Sequence, residues 1–231
     1  MLLEVENLHA AHSSTQVLFG IDLKIGNGEV VALLGRNGVG KTTCMRCIMG
    51  LTRPQRGAVR WRGEDIAGAP PHKIARSGIG LVPQGRRIFA DLTVWENLDM
   101  GRRPGTDPDR EEYIDRLFPE LGDLADRRGG TLSGGQQQLL SIARSLMGGS
   151  RLLLLDEPSE GLAPRMVERL GQQLAELRQQ GLSMLLAEQN LDFALELSDR
   201  AYIVEKGTVC YSGSAAELRA DEEVQRRFLT L

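Results

Sequence analysis

The chain has 231 residues, of which 41% are hydrophobic and 26% are charged, and its formal net charge at pH 7 is −3. These values are typical of a globular protein, either one large domain or a core with a subdomain. The small negative charge excludes a general electrostatic attraction to nucleic acid or to anionic lipid.

The sequence also argues against a membrane span and against secretion. No apolar stretch approaches the roughly 18 residues that a spanning helix needs. The first six residues include two acids where a secretory signal would have basic residues. We therefore expect a cytosolic chain that is soluble when expressed alone, with reduced cysteines. Cys44 and Cys47 form a Cys-x-x-Cys pair, but no second pair or nearby His accompanies them, so ordinary packing is expected.

The N-terminal part predicts two strands, residues 2–10 and 17–25, joined by a polar turn. Two strands before the next motif indicate a small antiparallel sheet lying against an α/β core. His12 lies in the turn, where a flat ring can stack on a nucleotide base. A solvated histidine is the alternative for a residue of this kind.

A glycine-rich turn follows the apolar run Val30–Leu34, which predicts a buried strand. The turn fits the pattern of Gly, four residues, and Gly-Lys-Thr, and it runs into a predicted helix. Its residues are Gly35, Arg36, Asn37, Gly38, Val39, Gly40, Lys41, Thr42 and Thr43. Strand, turn and helix N-terminus aim backbone N–H groups at one volume, as polyphosphate binding requires. Lys41 would meet the outer phosphates, and the Thr42 hydroxyl would ligate Mg²⁺.

The next segment predicts a strand at 57–61, a helix from Pro70 and a buried strand at 78–83 that ends at Gln84. Ligands in open α/β sheets lie at the carboxyl ends of strands, so Gln84 is a candidate for contact with the metal or the attacking water. An ordinary polar strand end is the alternative.

Residues 85–149 predict helices rather than sheet. Thr93 can cap a helix that begins at Val94, and residues 110–121 have apolar residues at helical spacing. Ser133 can cap a further helix that begins with Gly134, Gly135 and Gln136, which makes a second anion site in one chain. Two distant phosphate sites suggest pairing between chains, whereas a simple helix cap is the alternative.

Four leucines precede two acids in the run Leu152–Asp156 and Glu157, which predicts a central strand covered on both faces. Beside a phosphate loop, Asp156 is a candidate Mg²⁺ ligand, and Glu157 is a candidate to orient or deprotonate the attacking water. Capping of the next helix is the alternative for both acids.

The sequence after Glu157 predicts further helices and strands in alternation. We expect a helix over 164–180, a strand over 182–187 that leads into Gln189, and a helix over 191–197. Strands over 200–205 and 208–211 and a helical segment from Ala215 complete the order.

Five ordered motifs resemble those of the ATP-binding subunits of ABC transporters over nearly the whole chain. The phosphate loop resembles Walker A, Gln84 the Q-loop, residues 132–136 the signature, Leu152–Asp156 with Glu157 the Walker B strand, and residues 159–162 the D-loop. The resemblance implies a P-loop NTPase fold of α/β class, RecA-like, with a small antiparallel β subdomain and an inserted helical subdomain. Residues 1–84 and 150–231 would form the core, and residues 85–149 the helical part.

The resemblance also implies function and partners. An ATP hydrolase of this family binds two ATP with Mg²⁺ in a head-to-tail dimer, where Walker A faces Ser133, Gly134, Gly135 and Gln136 of the other subunit. The second subunit would be another copy or a longer sister ATPase. Two integral-membrane permease subunits and, indirectly, an extracytoplasmic solute-binding protein would complete an assembly at the cytoplasmic face of the membrane.

Finer similarity lies in residues 82–89, 92–98 and 187–190, which are most similar to the shorter ATPase subunit of branched-chain amino-acid importers. Urea and amide importers are closely similar. Two positions depart from the general family pattern. Gln189 stands where most members have a His on the terminal phosphate, although the branched-chain subgroup is similar in having Gln there. His12, or Ala11 if the register shifts by one residue, stands at the position of the adenine-stacking aromatic.

Two other classes of protein predict sequence features that this chain lacks. A P-loop GTPase predicts an Asn-Lys-x-Asp base-reading motif, and the chain has none. A soluble ABC ATPase that acts on DNA or ribosomes predicts a long coiled-coil insert or two cassettes in one chain, and neither is present.

Overall fold

Two β-sheets organise the chain in the computed structural model, which describes residues 1–12, 15–103, 105 and 107–228. The strands are β1 (Leu3–His12), β2 (Thr15–Ile25), β3 (Val30–Leu34), β4 (Arg56–Trp61), β5 (Glu64–Asp65), β6 (Ile79–Val82), β7 (Leu152–Asp156), β8 (Ser183–Glu188), β9 (Arg200–Glu205) and β10 (Thr208–Ser214). The helices are α1 (Lys41–Ile48), α2 (Pro71–Arg76), α3 (Val94–Asp99), α4 (Arg110–Leu117), α5 (Pro119–Gly122), α6 (Gly134–Met147), α7 (Pro164–Gln179), α8 (Leu191–Leu197), α9 (Ala215–Ala220) and α10 (Glu222–Phe228). A 3₁₀ helix spans Gly129–Thr131.

The larger sheet has the strand order β10-β9-β3-β8-β7-β6. Its strands β9, β3, β8, β7 and β6 are parallel, and β10 adds an antiparallel edge. Every residue of β3, β7 and β8 is buried, as continuous apolar runs in a doubly covered parallel sheet require. The carboxyl ends of β3, β8, β7 and β6 therefore lie side by side at one edge of the sheet, and the predicted α/β fold of P-loop NTPase type is confirmed.

The smaller sheet is antiparallel, with the order β2-β1-β4-β5. This is the predicted small sheet, but β1 is longer than expected because its pairing with β2 continues to the end, where His12 lies opposite Thr15. Strand β10 likewise extends to Ser214, which pairs with Arg200.

The helical insert, which is the segment 85–149 between β6 and β7, differs from the sequence prediction at one point. The single helix expected over 110–121 is wrong, since α4 ends at Leu117 and α5 starts at Pro119. Phe118 between them has φ −128° and ψ 60°, because the proline ring disfavours helical geometry in the residue before it. The break turns Phe118 into the core, where it is fully buried.

Hydrophobic clusters cover both faces of the parallel sheet. One joins Ala32 and Leu34 to the helical insert and α7, and the other joins Val31 and Leu33 to α1 and the antiparallel sheet. Cys44 and Cys47 pack in the second cluster, as expected, and burial raises the pKa of the Cys47 thiol to about 11. Within the residues that the structure describes, no helix is long and apolar enough to cross a membrane.

Candidate functional site

The glycine-rich loop between β3 and α1 can be built only with glycine at its two ends. Gly35 has φ 149°, and a Cβ there would lie 2.5 Å from the Val204 carbonyl oxygen. Gly40 has φ 114°, and its Cβ would lie 2.5 Å from Leu18 Cδ2. Gly40 is also the N-cap of α1, and no side chain caps that helix. The loop therefore delivers the N-terminus of α1, with its outward N–H groups, to the sheet edge.

Lys41 is held over this loop. Its Nζ donates to the carbonyl oxygens of Gly35 at 2.7 Å and Arg36 at 3.2 Å. The same Nζ lies 2.9 Å from Glu157 Oε1, with the two side chains only 3% and 5% exposed. The loop thus holds one buried cation at its mouth, paired with an acid from the end of β7.

The acids at the end of β7 reach the loop after β3, although β8 lies between these two strands. Thr42 Oγ1 donates to Asp156 Oδ1 at 3.1 Å, and burial raises the pKa of the Asp156 carboxyl above its ordinary value. Glu157 has φ 50°, a left-handed conformation that is uncommon for a non-glycine residue. Gln84, after β6, donates from Nε2 to Glu157 Oε2 at 3.1 Å and to Glu160 Oε2 at 2.8 Å.

A cleft of about 460 Å³ lies above these groups. Its lining comprises Val17, Asn37, Gly38, Gly40, Lys41, Thr42, Thr43, Gln84 and Glu157. Gln189 adjoins it, because its Nε2 donates to Asn37 Oδ1. The structure therefore brings the phosphate loop, the Q-loop residue, the strand-end acids and Gln189 to one place.

His12 is the residue predicted to stack on the nucleotide base. Strand β1 ends at His12, but the side chain of that residue lies outside the described part of the chain. Val17, which sequence reasoning did not select, lines the cleft near Gly40. No chemical signal in the sequence marks a valine as a site residue.

The residues of the second predicted anion site lie at the start of α6. Ser133 Oγ accepts from the Gln136 N–H at 3.3 Å, and Gln136 Oε1 accepts from the Ser133 N–H at 2.9 Å, which is a capping box. Gly134 lies against the Arg86 guanidinium, whose Nη2 donates to the Gly161 carbonyl at 3.5 Å. In the described lining of the cleft, no residue of 133–136 is present. The two candidate anion sites of one chain are therefore separate.

Glu188, at the end of β8, is a site residue that sequence reasoning missed. Its side chain is 2% exposed, and Oε1 accepts from the Ser159 N–H at 2.9 Å. Oε2 accepts from the N–H groups of Gln189 at 3.1 Å and Asn190 at 3.3 Å. This carboxylate ties the loop after Glu157 to the loop that carries Gln189. Its position, an acid ending a buried strand like Asp156, was the signal that could have identified it.

The metal-ligating and phosphate-binding groups in and below the cleft fit a complex of Mg²⁺ with a nucleoside triphosphate. Hydroxyl and carboxylate oxygens of Thr42 and Asp156 are the hard ligands that Mg²⁺ takes, and they already lie within hydrogen-bond distance of each other. The raised pKa of Asp156 shows a buried carboxyl whose charge a cation would stabilise. Lys41 and the N-terminus of α1 supply positive charge for phosphate.

Comparisons with known proteins agree with this geometry. The profile of the ABC transporter family matches residues 18–160. The chain is 38% identical to the high-affinity branched-chain amino acid transport ATP-binding protein BraG of Pseudomonas aeruginosa, over 99% of each chain. It is 37% identical to the lipopolysaccharide export system ATP-binding protein LptB of Haemophilus influenzae, over 99% of this chain and 97% of that one. Among solved structures it is similar to the ADP conformation of an ATP-binding cassette of an ABC transporter, with TM-score 0.84, 27% identity and 96% of each chain covered.

Proposed function

The chain belongs to the ABC transporter family, and from this premise we propose that its ATP hydrolysis powers the import of branched-chain amino acids through partner permeases. That the chain is the ATP-hydrolysing subunit of a transporter follows from the family. The transported solute is the proposed part. It is supported by the 38% identity to the branched-chain ATPase and by Gln189, where that subgroup is similar in having Gln.

A second candidate is a role in lipopolysaccharide export, favoured by the 37% identity to LptB. Urea or amide import is a third, because those ATPases are closely similar in sequence. The solute is recognised by partners rather than by this chain, so the candidates differ in the permeases that the chain binds.

We propose that Lys41 and the loop N–H groups bind the phosphates of ATP. A cation and backbone donors that are positioned before the reaction stabilise the charge that develops on the terminal phosphate. In the structure Lys41 Nζ donates to two carbonyl oxygens and lies against one carboxylate, so an arriving phosphate oxygen would replace one of these three partners.

The proposed magnesium ligands are Thr42 and Asp156, with Gln84 beside them. Bound Mg²⁺ would neutralise phosphate charge and orient the terminal phosphate. Thr42 is held on α1 and Asp156 on β7, so the two oxygens are set by rigid elements rather than by loops.

The proposed catalytic acid–base residue is Glu157, which would orient and deprotonate the attacking water. Its carboxylate is fixed by Lys41 on one oxygen and by Gln84 on the other. Gln189 would donate a hydrogen bond to the terminal phosphate, a weaker contact than a charged histidine gives.

The proposed working unit is a head-to-tail dimer with a second copy or a longer sister ATPase. The supporting observation is that residues 133–136, the candidate anion site at the start of α6, do not line the cleft of their own chain. In the dimer they would face the phosphate loop of the partner. We propose that residues 85–149 act as a helical subdomain against a core of 1–84 and 150–231, and transmit closure to the permeases. The assembly would lie at the cytoplasmic face of the membrane, with a solute-binding protein as an indirect partner.

The single observation that supports catalysis best is the 2.9 Å contact between Lys41 Nζ and Glu157 Oε1 beside the Thr42–Asp156 pair. The test is Glu157→Gln. We expect ATP binding within a few-fold of the unaltered protein and turnover reduced at least 100-fold, since general-base catalysis contributes about 10²–10⁴-fold. Unchanged turnover would refute the assignment.

The solute is tested separately by reconstituting the chain with its permeases in vesicles. The proposal expects ATP hydrolysis to rise when the binding protein carries leucine. A rise with urea instead, or copurification with a lipopolysaccharide exporter, would replace it with one of the other candidates.

A further inference from the structure

A cationic cleft lies at the edge of the parallel sheet opposite the phosphate loop. It has a volume of about 480 Å³ and is formed where several elements begin rather than end. Gly28 precedes β3, Arg151 precedes β7 and Ser183 begins β8. Arg62, from the turn between β4 and β5, and Arg110, the first residue of α4, complete its charged lining.

Its lining has three arginines and no acid among the described residues. The lining residues are Leu2, Asn27, Gly28, Arg62, Arg110, Tyr113, Ser150, Arg151, Gln180, Gly181, Leu182 and Ser183. None of the three guanidinium groups takes part in an ion pair within the described part of the chain, although other arginines do. Three like charges around one concavity raise its potential and favour a bound anion, in a protein whose net charge is negative.

The hydrogen-bonding state of the lining also leaves donors for a ligand. Arg110 Nε is buried and has no hydrogen-bond partner among the described residues, a state that natural proteins seldom leave unsatisfied. The Arg110 guanidinium stacks on the Tyr113 ring at 5.1 Å, and the Tyr113 hydroxyl donates to Gln180 Oε1 at 2.7 Å. Glu176, outside the lining, already accepts from Gln180 Nε2. The ring and the amide therefore hold Arg110 in place.

We propose that this arginine cleft, defined by Arg62, Arg110 and Arg151, binds a small soluble phosphorylated compound. Guanidinium groups bind phosphate oxygens bidentately, and three of them match an anion with two or more charges. A volume near 480 Å³ is in the range of pockets that enclose small molecules rather than a protein surface. The inference does not depend on the identity of the transported solute or on the role of Glu157.

The cleft is placed to couple the helical insert to the core. Arg110 belongs to α4 of the insert, Arg151 to the start of β7, and Arg62 to the antiparallel sheet. An anion that binds all three joins these parts of the fold and stabilises the arrangement that brings them together. The ligand would thereby restrain the movement of the insert that the proposed function requires.

The test is a calorimetric titration of the full chain with inorganic pyrophosphate in EDTA at constant ionic strength. The Lys41→Ala variant is used so that the phosphate loop does not dominate binding. We expect one equivalent to bind, and we expect the pair Arg62→Gln and Arg151→Gln to weaken binding at least tenfold. Arg219→Gln, which removes one positive charge from the exposed face of α9, is the matched control and should leave binding unchanged.

A second experiment does not require the Lys41→Ala variant to fold. Lys41 is left intact, the nucleotide site is saturated with Mg-ADP, and the unfolding midpoint is followed as pyrophosphate is added. The midpoint should rise in the protein with the intact arginine cleft and stay constant in the double variant. Binding that is equal in the intact and double-variant clefts, or no binding to either, would overturn the proposal.

Discussion

Lys41 Nζ lies 2.9 Å from Glu157 Oε1, so the first residue of α1 and the residue that follows β7 share one buried contact. The residue proposed to hold phosphate and the residue proposed to orient water are therefore electrostatically linked. Each keeps further hydrogen bonds, Lys41 to two loop carbonyls and Glu157 to Gln84. A substitution at either position changes the surroundings of the other.

Replacing Lys41 by Met removes the cation from this pair. We expect ATP affinity to fall by about 10–100-fold, because a charge-assisted hydrogen bond contributes about 1.5–3 kcal/mol. The free energy of unfolding should fall by about 3 kcal/mol, since Glu157 is left buried without its partner. Nucleotide titration and denaturant unfolding measure the two effects. Lys73→Met, on the exposed face of α2, should change neither.

Asp156→Asn tests the magnesium site. The amide keeps an oxygen for Thr42 but loses the charge, so half-maximal ATP hydrolysis should require at least tenfold more Mg²⁺. EDTA should abolish hydrolysis in both proteins. Because the pKa of Asp156 is raised by burial, its proton competes with Mg²⁺ at higher pH than for an exposed acid. The Mg²⁺ requirement should therefore increase more steeply as pH falls in the unaltered protein than in Asp156→Asn. An equal requirement in Asp156→Asn and in the exposed control Asp123→Asn would contradict the assignment.

Glu188→Gln tests whether the carboxylate between the two loops positions Glu157 and Gln189. In the unaltered protein both carboxylate oxygens accept hydrogen bonds from backbone N–H groups. The Gln side chain has only one oxygen, so its NH₂ group would face at least one of these N–H donors. We expect kcat to fall about tenfold with KM for ATP within twofold, because the loops shift while the phosphate loop stays. Steady-state kinetics separate the two constants. Glu205→Gln, an exposed acid at the end of β9, is the matched control. A change in KM alone would indicate that Glu188 acts on binding instead.

The same residue predicts a pH dependence of stability. Burial raises the pKa of Glu188 above the ordinary value of 4.5, although hydrogen bonds from the Ser159 N–H partly oppose this. A raised folded-state pKa means that the folded chain binds the proton more tightly than the unfolded chain. Its contribution to stability is thus complete below the ordinary pKa and is lost as pH rises through the raised one. The difference in the free energy of unfolding between the unaltered protein and Glu188→Gln should therefore change across this pH range. A difference that stays constant with pH would contradict the prediction.

Ser133→Ala separates capping from catalysis at the start of α6. Ser133 and Ser214 both form capping boxes, with Gln136 and Glu217. Each substitution by Ala should cost about 1 kcal/mol of stability. Only Ser133→Ala should lower ATP turnover, by about tenfold, because only α6 is proposed to meet the partner's ATP. Equal turnover in the two variants would indicate that Ser133 is a helix cap alone.

Local patterns in the sequence were sufficient to predict most of the fold. The phosphate loop, the buried strands and the capping residues Thr93 and Ser133 are each encoded within about ten neighbouring residues. The break at Phe118 was also local, since Pro119 follows it, but the apolar spacing of 110–121 outweighed it in the prediction.

The contacts of the candidate site could be predicted only in part, because they depend on strand order. Placing β8 beside β3 and β7 beside β8 brings Glu157 to Lys41 and Glu188 to the loop after β7, and no local pattern determines that order. The contacts of the buried Asn97 were likewise not predicted. Its Nδ2 donates to the carbonyl oxygens of Phe89 and Thr93 and orders the start of the insert. The arginine cleft depends on residues from three separate parts of the chain.

The central claim is that ATP is bound between two copies of this fold, or between a copy and a sister ATPase. Sedimentation velocity of Glu157→Gln with and without Mg-ATP tests it most directly, with the longer sister ATPase added in a second series. The account predicts a shift from about one subunit to two on addition of ATP, and no shift when Ser133 is also replaced by Arg. A protein that binds ATP and remains a single subunit in both series would contradict the account.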